Sequence, residues 1–101
     1  MSADTDVVID EKIKQVEDIP SRYNVILIND DVTPIEWVIS ILVEIFKHSE
    51  ETAKYLTLTI HTDGSAVVGT YSYEIAEQKS AEVVNASRNH GFPLNVKLEQ
   101  E

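Results

Sequence analysis

A small α+β domain is the fold class that the sequence predicts. The chain has 101 residues, the size of one domain, and 43% of them are hydrophobic while 26% are charged, as in globular proteins. Short β-rich runs alternate along it with longer stretches in which apolar residues recur every three or four positions. These observations predict helices that pack on one side of a small sheet.

Strand and helix signals follow one another in the first half of the chain. Residues 23–29 form a β-rich run that ends in turn-forming residues, which predicts a strand. Thr33 as N-cap and Pro34 as first helical residue predict a helix that reaches about Lys47. Residues 50–60 are ambiguous, because a helix start is followed by a strand-like alternation of Leu, Thr and Ile.

The second half of the chain predicts a strand, a long helix and a final strand. Residues 66–71 are rich in β-branched residues and end at Ser72, which is suited to cap a helix. That helix continues to about His90, and Gly91 stops it. Residues 94–98 alternate between apolar and polar side chains, as expected of a half-buried strand.

Acidic charge dominates the chain and excludes several classes of protein. There are 18 Asp and Glu against 8 Lys and Arg, and the net charge of −10 disfavours a nucleic-acid partner. Six of the acids fall in residues 1–21, where we expect a flexible tail before a core domain at 22–101.

No apolar run approaches the ~20 residues of a membrane span. The lack of cysteines and of signal-peptide features fits a cytoplasmic protein.

Asn29, Asp30 and Asp31 form the densest polar cluster, between a predicted strand and a helix N-terminus. Adjacent carboxylates suit a cation or an ammonium group, and they also suit a simple turn beside a helix dipole. Combined with His61, the two carboxylates make a metal-dependent enzyme a further hypothesis. Because no nucleophile with a base, no glycine-rich phosphate loop and no pair of histidines at metal-ligand spacing occurs, we expect no enzyme, no metal and no cofactor.

Four segments, in one register over residues 20–99, resemble a single family, the ClpS adaptors. They are V-I-L-I-N-D-D-V-T-P-I-E at 25–36, Ile60-His61 with Gly64, residues 69–79, and G-F-P-L at 91–94. The resemblance implies that residues 50–60 are helical. It therefore implies a three-stranded antiparallel sheet packed against three helices, in the order β-α-α-β-α-β.

ClpS adaptors bind N-degron substrates, which are proteins that begin with Leu, Phe, Tyr or Trp, and deliver them to a Clp-type AAA+ unfoldase and its peptidase. The resemblance implies the same for this chain, as a monomer that docks on the N-terminal domain of a ClpA- or ClpC-like unfoldase. It implies that the α-amino group is bound by Asn29, Asp30 and His61. The hydrophobic pocket would consist of Asp31, Thr33, Ile35, Val38, Thr57, Ile60 and Leu94, and the unfoldase would contact Tyr73, Glu74 and Lys79.

Two residues of the implied pocket depart from the family pattern. Ile35 replaces the usual Met, which excludes β-branched first residues, and Ile is itself β-branched with less reach. Thr57 stands where an apolar residue is usual. An alternative function follows, in which the chain modulates or inhibits the unfoldase with altered or absent N-degron binding.

Overall fold

Six elements form in the predicted order. The computed structural model describes residues 21–101, so the predicted tail at 1–21 lies, apart from Ser21, outside the described residues. The α+β prediction with the order β-α-α-β-α-β is confirmed. The elements are β1 (Arg22–Ile28), α1 (Ile35–Glu44), α2 (Glu50–Asp63), β2 (Ser65–Ser72), α3 (Tyr73–Asn89) and β3 (Asn95–Gln100).

Strand β1 lies in the middle of a sheet with the order β2-β1-β3, and it pairs antiparallel with both neighbours. Val25 stands opposite Gly69 on one side and Leu98 on the other. The next residue of β1 pairs with Val67, so β2 has one extra residue at this point, a bulge. Val25 and Leu27 are fully buried, and their alternation directs one face of the sheet into the core.

Helix α2 contains the segment that local patterns left ambiguous. Its threonines fit a helix because three of their hydroxyls donate to carbonyl oxygens four residues back. Thr57 donates to Ala53 at 2.7 Å, and Thr62 donates to Leu58 at 2.9 Å. Ser49 caps the helix, since its Oγ accepts a hydrogen bond from the N–H of Thr52 at 3.2 Å.

The predicted bounds of α1 were wrong at both ends. Pro34 is the N-cap, because its carbonyl accepts the first helical hydrogen bonds while its own ψ of 147° is extended. The Thr33 hydroxyl donates to Asp30 instead of capping the helix. At the other end the helix stops at Glu44, and Lys47 adopts a left-handed φ of 61° that turns the chain toward α2.

The core lies where the sheet meets the three helices. Trp37 on α1 joins α3 at its edge, and its Nε1 donates to the buried Ser87 hydroxyl at 2.9 Å. Among residues 21–101, no helix is both long and apolar enough to cross a membrane. The buried apolar residues are Val25, Leu27, Val38, Ile41, Leu42, Phe46, Ala53, Ile60, Val68, Ala76, Val83 and Leu94.

Candidate functional site

The loop of residues 29–34, which connects β1 to α1, is organised by one carboxylate. Oδ1 of Asp30 accepts hydrogen bonds from the backbone N–H of Val32 at 2.8 Å and of Thr33 at 2.7 Å. Oδ2 accepts from the Thr33 hydroxyl at 2.7 Å. A carboxylate offers about four lone-pair positions, so the charged group retains capacity for a further donor.

These hydrogen bonds keep Asp30 ionised. Partial burial by itself raises the pKa of this carboxyl. The hydrogen bonds from Thr33 and Val32 and the positive charge of Arg88 outweigh burial, so the pKa of Asp30 lies below its usual value. The loop therefore holds a negative charge that survives mild acidification.

Gly64 brings the end of α2 to the end of β1. It ends the helix in a left-handed conformation with φ 94°, which favours glycine, and its N–H donates to the carbonyl of Ile60. Its carbonyl then accepts a hydrogen bond from the backbone N–H of Asn29 at 2.9 Å. His61, in the last turn of α2, is thereby placed beside loop 29–34.

One cavity of about 350 Å³ opens between loop 29–34, the start of α1 and the last turns of α2. Val38, Thr57 and Ile60 form buried walls, whereas Ile35 is 51% exposed and stands at the rim. The full lining consists of Asn29, Asp30, Asp31, Val32, Thr33, Pro34, Ile35, Val38, Thr57, Ile60 and His61.

Polar acceptors and apolar walls thus share one small cavity. The side chains of Asn29 and His61 line this cavity together with the apolar residues Val38 and Ile60. The charge of Asp30 lies beside them. This arrangement suits a ligand with a cationic donor group at one end and an apolar body at the other.

The predicted site residues mostly come together, with one exception. Nine of the ten residues that the resemblance implies for the amino group and the pocket line this cavity. Leu94 does not, because it is 1% exposed within the core, and its role in the pocket stays a prediction. The cavity also includes Val32 and Pro34, which the motif comparison did not single out although they lie within the matched segment.

The residues expected to contact the unfoldase lie elsewhere and do not form one group. Tyr73 is 48% exposed and shares a second cavity, of about 560 Å³, with Glu74. A hydrogen bond to Glu77 and the charge of that carboxylate raise the pKa of Tyr73. Lys79 instead turns inward, and its Nζ donates to the carbonyl of Ile45 at 2.9 Å and lies 5.3 Å from the Tyr71 ring centre.

The metal-site hypothesis named three residues that line the 350 Å³ cavity. Asp30, Asp31 and His61 line the same cavity, yet among residues 21–101 no three His, Asp or Glu side chains converge as metal ligands do. The oxygens of Asp30 are directed instead at Val32 and Thr33.

Comparisons with known proteins agree on one family. The family model described as ATP-dependent Clp protease adaptor protein ClpS matches residues 18–97. The ClpS adapter protein of Treponema denticola is 44% identical over 81 residues, which cover 80% of each chain. The Maricaulis maris ClpS adapter protein is 44% identical over 82 residues, covering 81% of this chain and 75% of the relative.

A solved structure supports the same assignment. Agrobacterium tumefaciens ClpS2 bound to L-phenylalaninamide matches with a TM-score of 0.79 and 41% identity, covering 81% of this chain and 99% of that one. The chain therefore belongs to the ClpS family of adaptor proteins of the ATP-dependent Clp protease.

Proposed function

We propose that this adaptor binds the free α-amino group and the large hydrophobic first side chain of N-degron substrates, and delivers them to a Clp unfoldase and its peptidase. The observation that carries the proposal is the shared cavity, in which Asn29, Asp30 and His61 lie next to apolar walls. The chemistry of the Agrobacterium ligand supports it, because phenylalaninamide has a free amino group and an apolar ring.

Recognition of the amino group rests on charge and on acceptors from different directions. An α-ammonium group carries three donors and a positive charge. Asp30 supplies the charge from loop 29–34, Asn29 supplies an amide oxygen, and a neutral His61 supplies a ring nitrogen. Each charge-assisted hydrogen bond contributes about 1.5–3 kcal/mol when it forms out of water.

The first side chain of the substrate occupies the apolar part of the cavity. Val38 and Ile60 are 6% and 2% exposed and form its walls. Burial of a Leu or Phe side chain contributes about 1.5–3 kcal/mol. After the cost of association, the two parts together account for a dissociation constant on the order of micromolar or below.

Ile35 is the residue we assign to the preference among first side chains. Ile35 stands half-exposed at the rim of the cavity. Its β-branched side chain adopts fewer conformations than a Met side chain does. We expect weaker rejection of Ile and Val than in relatives that carry Met here. Affinities for peptides that begin with Leu, Phe, Tyr, Trp, Ile and Val measure this, and strong rejection of Ile and Val would contradict it.

Delivery requires a surface other than the cavity. Tyr73 and Glu74 lie on an exposed surface at the start of α3, and we propose that they contact the N-terminal domain of a ClpA- or ClpC-like unfoldase. The amine of Lys79 already binds the end of α1, so we expect its substitution to affect folding as well as docking. A monomeric state and a cytoplasmic location stay predictions.

The decisive experiment compares two labelled peptides by fluorescence anisotropy. One begins with a free Phe, and the other is identical except for an acetylated α-amino group, which removes the positive charge. We expect binding of the free peptide and loss of at least about thirtyfold in affinity on acetylation, the equivalent of about 2 kcal/mol. Equal affinities would refute amino-group recognition. If neither peptide binds while the chain still binds the unfoldase, the result would favour the alternative function as a modulator or inhibitor.

A further inference from the structure

An apolar groove opens beside the proposed amino-group site, between helices α1 and α2. It encloses about 260 Å³ and its walls are almost wholly apolar. We call it the α1–α2 groove, and it is lined by Ile35, Ile39, Lys54, Thr57, Leu58 and His61.

Two side chains expose apolar surface to this groove from facing helices. Ile35 at the start of α1 is 51% exposed, and Leu58 on α2 is 60% exposed. The amine of Lys54 pairs with Glu50 at 3.3 Å, which leaves the methylene stem of Lys54 as a further apolar part of the wall. An exposed apolar surface with a polar edge is typical of a contact site.

The α1–α2 groove adjoins the 350 Å³ cavity beside loop 29–34. Both are lined by Ile35, Thr57 and His61, so only one layer of side chains separates them. In the proposed binding mode, a substrate whose amino group lies at His61 and whose first side chain fills the 350 Å³ cavity leaves over this shared rim. Its second Cα follows about 3.8 Å after the first, which places the second side chain within reach of the groove.

We infer that the α1–α2 groove binds an apolar side chain of the second residue of the substrate. This inference rests on the proposed function. It narrows the substrate class to chains that begin with two hydrophobic residues, such as Phe-Leu, over chains in which a polar residue follows the first. Leu58 provides the contact surface that belongs to the groove and not to the 350 Å³ cavity.

The test uses the full chain and four labelled peptides that differ only in their first three residues or in acetylation of the α-amino group. They begin Phe-Leu-Ser, Phe-Ser-Leu, Phe-Ser-Ser and acetyl-Phe-Leu-Ser. We expect Phe-Leu-Ser to bind roughly fivefold to tenfold more tightly than Phe-Ser-Ser, as partial burial of one leucine predicts. Leu58→Gln, which keeps helix propensity, should abolish this preference and leave the affinity for Phe-Ser-Ser unchanged.

A matched variant serves as the control. Tyr55→Gln removes an apolar side chain that is 68% exposed on the same helix and outside the groove, and it should retain the preference. Equal binding of Phe-Leu-Ser and Phe-Ser-Ser to the wild type would overturn the inference, as would a preference that persists in Leu58→Gln. A gain with Phe-Ser-Leu as large as that with Phe-Leu-Ser would overturn the assignment to the second residue. Failure of the proposed function looks different, because acetylation would then have no effect on binding.

Discussion

Two loops of this protein are each stabilised by one charged side chain, but only one of the loops borders the 350 Å³ cavity. In loop 29–34 the carboxylate of Asp30 accepts hydrogen bonds from two backbone N–H groups and one hydroxyl. In loop 90–94 the guanidinium of Arg88 donates to the carbonyls of Phe92 at 2.8 Å and Leu94 at 2.9 Å. Each loop is thus stabilised by one charged side chain that satisfies several backbone groups.

The surroundings of the two charges decide what each loop does. The Trp37 ring packs against loop 90–94, with centroid distances of 4.4 Å to His90 and 5.4 Å to Phe92. Loop 29–34 instead borders a cavity with apolar walls. A charged side chain that hydrogen-bonds to several backbone groups stabilises a loop wherever it occurs. It becomes a candidate binding group only where it faces a cavity.

Removal of the charge of Asp30 should have the largest effect, and it should act on binding. In Asp30→Asn the amide oxygen still accepts from Val32 and Thr33, and the Thr33 hydroxyl reverses its role toward the new amide N–H. We expect a loss of about 2–3 kcal/mol in affinity for a peptide with a free first Phe, measured by anisotropy.

The control for Asp30→Asn is Glu36→Gln, which removes an exposed carboxylate near the cavity but outside its lining. An equal loss in both variants would show that net charge, and not the position of Asp30, governs the affinity.

Removal of the charge of Arg88 should act on stability. Arg88→Met keeps the aliphatic stem and leaves the carbonyls of Phe92 and Leu94 without their donor. Since the arginine is exposed, we expect a loss of about 1.5–2 kcal/mol in the free energy of unfolding, measured with urea. Unchanged stability would mean that water replaces the guanidinium at no cost.

Alanine substitutions at Gly64 and Gly91 should distinguish the loop that borders the 350 Å³ cavity from the loop that does not. Gly64 and Gly91 both have positive φ, at 94° and 78°, and a Cβ at either position meets no atom within 4 Å. Each substitution by Ala should therefore cost about 1 kcal/mol of stability through backbone strain alone. Only Gly64→Ala should also weaken peptide binding, because the Gly64 carbonyl binds the backbone of Asn29. Similar binding losses in both variants would contradict the link between α2 and loop 29–34.

A fall in pH should produce the smallest effect, a decrease in the free energy of unfolding. Because the pKa of Asp30 is lower in the folded protein, this carboxylate contributes stability above its unfolded pKa of about 3.9, and the contribution is lost as the pH falls through the folded value. The unfolding free energy of the wild type should therefore fall more steeply than that of Asp30→Asn below about pH 4. Parallel curves, measured by urea unfolding from pH 6 to pH 3, would contradict this.

Local signals were sufficient for most elements and failed where a distant or competing hydrogen bond intervened. Ser49 caps α2 and Gly91 follows the end of α3, as expected. The start of α1 was wrong because Asp30 engages the Thr33 hydroxyl. The pattern of α2 was ambiguous because threonine favours strands, yet its hydroxyl also bonds to the preceding helical turn.

The sequence by itself determined the acidic polar cluster at the end of β1 and, through its motifs, the family and with it the order of the elements. Only the tertiary structure placed His61 beside Asn29, through the hydrogen bond from Asn29 to Gly64, and turned Lys79 inward to the end of α1. The α1–α2 groove likewise exists only because two consecutive helices pack so that their side chains face each other. The physical reason is that patterns along a chain report local preferences, whereas a cavity depends on contacts between elements that the sequence does not bring together.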